Sequence, residues 1–266
     1  MLLHSRSVRV TAWGVLAILF IGIFGLPLLM VFLSSIAGQW NGIFPTGLTL
    51  HHYVTAFHGA TARHLQTSVI TAAGASSLAL VIGTWGALAN RGRKRAVSRV
   101  VDGLFMIPIA VPSVSVGLGL LVAFSRPPVL LNGTAYIVLA AHTVIVVAFA
   151  YGTVSSGLAR LSSDQELVAA SLGARPGYVL WRVTLPLLRP QLIAAASLSF
   201  ALSMGELGAT IMLYPPGWVT LPVGIFALSD RGSVSEASAL TVLLLAMTGA
   251  GLSLLSLARS RAPASH

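Results

Sequence analysis

The sequence predicts an all-α, polytopic membrane protein with six transmembrane helices and a cytoplasmic helix-turn-helix loop. Three observations carry that prediction. Hydrophobic residues make up 56% of the 266 positions and charged residues only 8%, where a globular domain carries roughly 25% charged residues. Apolar character runs unbroken over stretches of about 20 residues, the length a helix needs to cross a ~30 Å hydrocarbon core, and does not alternate as barrel strands do. The 16 Lys+Arg against 6 Asp+Glu fall into alternate loops, as orientation charge does. Disorder, a soluble enzyme and a nucleic-acid binder are excluded by the same composition. The absence of cysteine excludes disulfides, thiolate metal sites and cysteine nucleophiles.

The spans fall at Ala12–Ile36, Ser68–Asn90, Val101–Ser125, Thr134–Ser155, Leu192–Leu213 and Ala237–Leu257. The first follows Arg6 and Arg9, and Ser35-Ile36-Ala37 has the look of a small-x-small cleavage site. Its apolar run outlasts the about 7–15 residues of a signal peptide, so it is expected to stay as an anchor. In the second span Ala75, Ala79, Gly83 and Ala87 recur every four residues, a stripe along which a neighbouring backbone can approach closely. Pro108 and Pro112 in the third remove backbone donors and predict a kink, structural first and serving gating second. His142, alone in the fourth, is expected to hydrogen-bond between helices. Three regions follow: 1–63, with the N-terminus, first span and outer loop; a core of 64–258; and a tail of 259–266.

Orientation follows from the cations. Arg6, Arg9, Arg91, Arg93, Lys94, Arg95, Arg99, Arg160, Arg175, Arg182, Arg189, Arg259 and Arg261 share one side of the six spans, and Arg63, Arg126 and Arg231 the other. Both termini are therefore expected in the cytoplasm of a bacterial cell, with the chain in its inner membrane.

The cytoplasmic loop 156–191 reads as two short helices. Ser163-Asp164-Gln165-Glu166 fits a capping box, in which the serine hydroxyl and the glutamate carboxylate each take a backbone N–H. Val168, Ala169, Ala170, Ser171 and Leu172 continue that helix, and Gly173 stands where a left-handed residue would end it. Pro176 suits a second helix start, and Pro186 and Pro190 are expected to stop it.

With Leu167, Val168 and Ala169 six to four residues before Gly173, and Val183-Thr184-Leu185-Pro186 after it, the loop resembles the cytoplasmic signature of the integral membrane subunits of binding-protein-dependent ATP-binding-cassette importers. That signature runs Glu-Ala-Ala, three residues, Gly, nine residues, Ile-x-Leu-Pro. The spacing is met, but Leu and Val stand for the first two residues, and Glu166 lies one place before the signature glutamate. Within the family the chain is most similar to permeases of 2-aminoethylphosphonate importers, through Gln39-Trp40-Asn41-Gly42-Ile43, Pro112-Ser113-Val114-Ser115-Val116-Gly117-Leu118-Gly119, Met204-Gly205-Glu206-Leu207-Gly208-Ala209-Thr210 and Tyr214-Pro215-Pro216-Gly217-Trp218. The third stretch is shared with permeases for ferric iron, sulfate, molybdate and thiamine, which leaves those cargoes as alternatives.

The resemblance implies an importer subunit whose loop, through Ser163, Glu166, Ala169, Gly173, Val183, Leu185 and Pro186, docks on a separate ATPase subunit. It also implies a second permease subunit, the same or different, and a periplasmic solute-binding protein. The chain itself is no enzyme and needs no cofactor on this reading. A phosphate-binding loop takes Gly-x-x-x-x-Gly-Lys-Ser/Thr, and the single lysine, Lys94, sits in Arg91-Gly92-Arg93-Lys94-Arg95; ATP and Mg would be bound by the partner.

Glu206 is the one acid deep in a span, where a charge costs about 2.5–3.5 kcal/mol on insertion scales. It either faces the translocation path, where it could meet a substrate ammonium, or bonds to neighbouring backbone and hydroxyls. No span holds a Lys or Arg, so a phosphonate would rely on Ser113, Ser115, Ser203 or Thr210, on helix N-termini, or on the partner permease. Pro108 and Pro112 complete the candidate path. His51, His52, His58 and His64 cluster in the outer loop but lack the spacing of a ligand set, so no metal is expected. A secondary transporter would need no docking loop and usually carries more intramembrane charge. A membrane enzyme would need a nucleophile–base pair that the sequence lacks.

Overall fold

The computed structural model describes residues 6–40 and 45–260. Asn41, Gly42 and Ile43 of the outer-loop motif, and residues 261–266 of the tail, lie outside the described residues. Helices dominate, and the described chain forms two compact units.

The first unit takes residues 1–62 and 224–243. Its long helix runs through α1 (Arg6–Phe20), a π-helical turn over Ile21–Gly25 and α2 (Leu26–Ser35). At the π turn the Leu26 N–H reaches back to the Ile21 carbonyl, which accommodates Pro27, a residue with no N–H to give. A short hairpin follows, β1 (Ala37–Gln39) antiparallel to β2 (Thr46–Leu48), pairing Ala37 with Leu48 and Gln39 with Thr46. Hairpin turns are poorly marked in a sequence this apolar, and this one is not anticipated. A β-carbon on Gly38 would sit 2.3 Å from the Gly47 carbonyl oxygen, so only glycine fits. Helix α3 (His51–Ala56) folds back beneath it: Tyr53 and Ser35 hydroxyls are 2.6 Å apart, and His52 Nε2 lies 3.1 Å from the Ala37 carbonyl. His58 Nδ1 lies 2.8 Å from the Val54 carbonyl. These histidines are tied to backbone.

The second unit takes residues 63–223 and 244–266. It holds most of α4 (Gly59–Asn90), then α5 (Arg95–Ala110), α6 (Ser113–Ala123) and α7 (Ala135–Arg160). The loop helices are α8 (Asp164–Ser171), α9 (Pro176–Val179), a π turn over Leu180–Thr184 and α10 (Leu185–Leu187). Beyond them lie α11 (Arg189–Met204), α12 (Gly208–Leu213), α13 (Leu221–Asp230) and α14 (Val234–Ser260), the last two running into the first unit. Among the described residues four helices are long and apolar enough to cross a membrane, or up to six spans if each of two sharply bent pairs counts as one.

The small-residue stripe packs as its spacing predicts. Ala75, Ala79 and Ala87 are buried, and a β-carbon on Gly83 would stand 2.7 Å from the Tyr151 backbone nitrogen. Around that approach Ala79, Ala87, Val146, Ala150, Tyr151 and Val154 form one core, and Ile137, Val138, Ala141, Ala209 and Leu213 another.

Three expectations need correction. Pro108 sits inside α5, which runs on to Ala110; the chain turns at Val111–Pro112 by 103° between α5 and α6, far more than a proline kink. The fifth span is interrupted at Gly205–Leu207, between α11 and α12. Pro186 does not stop the second loop helix, because the π turn before it absorbs the missing N–H and Leu188 still donates to Thr184 at 3.0 Å. The helix ends at a 65° bend, after which Pro190 opens α11.

Candidate functional site: two interrupted spans and the cytoplasmic loop

The two breaks meet. Helix α6 begins at Ser113, directly after the 103° turn, and α12 begins at Gly208, directly after the interruption. A β-carbon on Gly208 would lie 2.3 Å from Ser113 Oγ, and one on Gly117 would lie 2.8 Å from Ala209 Cα. The second halves of both spans therefore run in backbone contact, which the glycines alone permit. Small residues are what allow such close packing in a membrane, where no hydrophobic effect drives helix association.

The interruption is held by buried hydrogen bonds. His142 in α7 is 1% exposed; its Nδ1 is 2.7 Å from Ser203 Oγ, before the break, and its Nε2 is 2.8 Å from Thr210 Oγ1, after it. The expected interhelical bond is thus two bonds to one interrupted span. Ser203 and Thr210, read from sequence as path hydroxyls, are buried against this imidazole and face no open space. Thr210 also donates to the Glu206 carbonyl at 3.3 Å, and Glu206 Oε1 accepts the Ala209 N–H at 2.8 Å. Of the two readings of Glu206, its backbone bond is present: the carboxylate caps the first turn of α12, satisfying a donor that the break leaves free. Ser113 and Glu206 are partly exposed and Ser115 and Pro112 exposed, so these carry what open polar surface the breaks possess.

The cytoplasmic loop keeps the predicted helix end and loses the predicted start. Gly173 has φ +82°, with Gly173 N–H on the Ala170 carbonyl and Ala174 N–H on the Ala169 carbonyl, the paired bonds of a Schellman end. The capping box at Ser163 is absent. Ser163 has helical φ and ψ and makes no side-chain cap, and Ser162 Oγ accepts the Asp164 N–H at 3.2 Å. Glu166 is drawn elsewhere by charge: its Oε1 accepts from Arg91 Nη1 at 2.7 Å and Thr184 Oγ1 at 2.6 Å. Burial alone would raise this carboxyl, but the hydrogen bonds from Arg91 and Thr184 and the charge of Arg91 outweigh it and hold the pKa below the ordinary value. Leu167, Val168, Leu172, Tyr178 and Trp181 are exposed on the same loop. Ala169, Val183 and Leu185 are partly buried beneath them, and Pro186 is exposed.

A third cluster lies beside the loop and has no counterpart among the sequence expectations. Asn90 Nδ2 stands 2.9 Å from the Tyr151 hydroxyl and 3.0 Å from Asp102 Oδ1, and the Tyr151 hydroxyl donates to the same Asp102 oxygen at 2.5 Å. Tyr151 stacks on Phe105 with ring centroids 4.1 Å apart. The one available signal is Asp102 itself, an acid inside the start of an apolar stretch with a serine four residues before it; its partners come from distant helices. Among the described residues no group of three or more His, Cys, Asp or Glu converges as a metal site.

Comparison with known proteins agrees with this architecture. The family model described as "Binding-protein-dependent transport system inner membrane component" matches residues 79–261. The chain is 52% identical over 248 residues to the putative 2-aminoethylphosphonate transport system permease protein PhnV of Salmonella paratyphi A, covering 93% of this chain and 94% of that one. It is 36% identical over 158 residues to the molybdenum transport system permease protein ModB of Mycobacterium tuberculosis, 55% of this chain and 60% of that one. Its backbone superposes with a TM-score of 0.75 on a chain from the crystal structure of a bacterial ABC transporter involved in the import of the acidic polysaccharide alginate, covering 97% of each at 17% identity, a likeness of fold.

Proposed function

The chain belongs to the family of binding-protein-dependent transport system inner membrane components, and from that premise we propose that it is the permease subunit of an ATP-driven importer whose cargo is 2-aminoethylphosphonate. The observation that carries transport is the meeting of two interrupted spans at Ser113 and Gly208. Interrupted helices occur at membrane depth where backbone lines a cavity or is buried in protein, and their half-helix N-termini suit anionic groups. The N-terminus of α6 with Ser113 and Ser115 would receive the phosphonate, and Glu206 the ammonium. Such a zwitterion suits a path without fixed cations better than a bare oxyanion does. The cargo is supported by the PhnV relative, which covers nearly the whole chain.

The partners on this reading are ATPase subunits carrying Mg and ATP, docked on the exposed apolar residues of loop 156–191, a second permease subunit across the path, and a periplasmic solute-binding protein. Both termini lie in the cytoplasm, residues 1–63 form the anchor and outer loop, and 64–258 the core. Growth on 2-aminoethylphosphonate as sole phosphorus source, in cells lacking their own permease, tests the cargo. Growth is expected with the intact chain and its partners; uptake of molybdate, sulfate or ferric iron with none of the phosphonate would overturn the cargo and leave the transporter standing.

A further inference from the structure

Asn90, the last residue of α4, and Arg91, the first of the turn to α5, point in different directions. Arg91 reaches the cytoplasmic loop: its guanidinium holds Glu166 of α8, and the same carboxylate oxygen holds Thr184 in the π turn, so one ion pair fixes both halves of the loop to the end of the second span. The two side chains are 30% and 20% exposed, so the pair fixes geometry, and solvent screening keeps its own contribution to stability small. Trp85, less than two turns earlier on α4, meets Trp181 of the π turn edge-on with centroids 6.5 Å apart. Asn90 reaches the other way, to Asp102 of α5 and Tyr151 of α7. Behind that contact, α4 and α7 are pressed backbone to backbone at Gly83, where no side chain can give. A displacement of the loop thus has a continuous polar path into three spans, and it passes through two adjacent residues.

We propose that Asn90 and Arg91 form the coupling node of this permease, Arg91 taking up movement of the loop through Glu166 and Asn90 passing it to the third and fourth spans through Asp102 and Tyr151. Both are positioning residues. The proposal rests on the reading of the loop as the ATPase docking element. It also accounts for the glutamate one place early: at 166 the carboxylate turns inward to its own chain.

The test uses the full transporter, permease with its ATPase and binding protein, in proteoliposomes, measuring solute moved per ATP hydrolysed and co-purification of the ATPase. Arg91→Gln and Glu166→Gln should each keep the ATPase bound and hydrolysing while lowering solute moved per ATP by about fivefold or more, the lower end of ordinary coupling between sites. Exchanging the charges, Arg91→Glu with Glu166→Arg, should recover most of the loss, which shows that the two act as a pair, while the ratio of solute to ATP with the ATPase still bound separates coupling from a defect of assembly. Asn90→Ser combined with Arg91→Gln should be little worse than the more damaging of the two alone, because both interrupt one path. An unchanged ratio in both single variants, or a charge exchange no better than either, would overturn the node. So would loss of ATPase co-purification in the single variants, since the pair would then act by docking. A separate loss of the docking reading would show as normal ATPase assembly in a Gly173 variant.

Discussion

Replacing Gly117 by alanine adds one methyl group where two helices have no room for it. The new β-carbon would stand 2.8 Å from both Cα and the carbonyl oxygen of Ala209, against about 3.5–4.0 Å for a relaxed carbon contact. Both neighbours are backbone, so no side chain can rotate away, and α6 must part from α12 by about 1 Å. Overpacking of this kind costs about 1–3 kcal/mol. Gly119, two residues on in the same helix, supplies the control: its added β-carbon meets nothing within 4 Å. Both variants gain the helix propensity of alanine over glycine, about 1 kcal/mol, so the difference between them isolates the packing penalty. Thermal unfolding of the purified chain in detergent should place Gly117→Ala below Gly119→Ala by that about 1–3 kcal/mol, and uptake should fall only in the former. Equal stabilities for the two would refute the close approach of α6 and α12, and with it the meeting of the two breaks.

Glu206→Gln should keep the hydrogen bond to the Ala209 N–H and hence stability, while uptake of the zwitterionic phosphonate falls; unchanged uptake would leave the carboxylate a cap alone. Gly173→Leu puts a β-branch-free but bulky side chain at φ +82°, costing about 1–2 kcal/mol at that turn, and should abolish ATPase co-purification while membrane insertion survives. The Arg91–Glu166 bond should be acid-labile: since the folded-state pKa of Glu166 lies below its ordinary 4.5, its stabilisation is complete above that value and is lost as pH falls through the lower folded one. Glu166→Gln should accordingly flatten the acid limb of the stability profile, and an unaltered limb would remove the ion pair from the account. Single cysteines at Ser98 or Arg175 should label only from the cytoplasmic side, and the absence of native cysteine makes that reading clean.

What is legible in the sequence follows from how local its cause is. The spans are visible because hydropathy sums over neighbours, and the Schellman end at Gly173 is visible because one residue type in one place suffices for a left-handed turn. The four-residue stripe through Gly83 reads correctly for the same reason. The interruption at Gly205–Leu207 is hidden because hydropathy summed over the whole stretch still reads as one span, and what brackets the break is His142, some 60 positions away in sequence. Glu166 misleads for a related reason: its spacing from Ser163 fits a cap, yet a full positive charge on the distant α4–α5 turn outbids a backbone N–H, and Ser162 takes over the capping bond. The turn at Val111–Pro112 falls between these cases, since proline marks the place but its angle is set by what α6 packs against.

The bracket at His142 also limits how the interrupted span can move. An unpaired polar group in hydrocarbon costs several kcal/mol, so a break that merely swung open would expose the Ser203 and Thr210 hydroxyls together with the imidazole. Because the ring touches the span on both sides of the break, α11 and α12 cannot separate without breaking one bond to it or carrying α7 along. Movement as a body, with α7 following, keeps every bond made and is the cheaper course. Helix α7 is also the helix whose Tyr151 meets Asn90, on the side of the loop. The same helix thus bonds both sides of the break through His142 and the end of the second span through Tyr151, so the cost of moving either contact separately falls on α7.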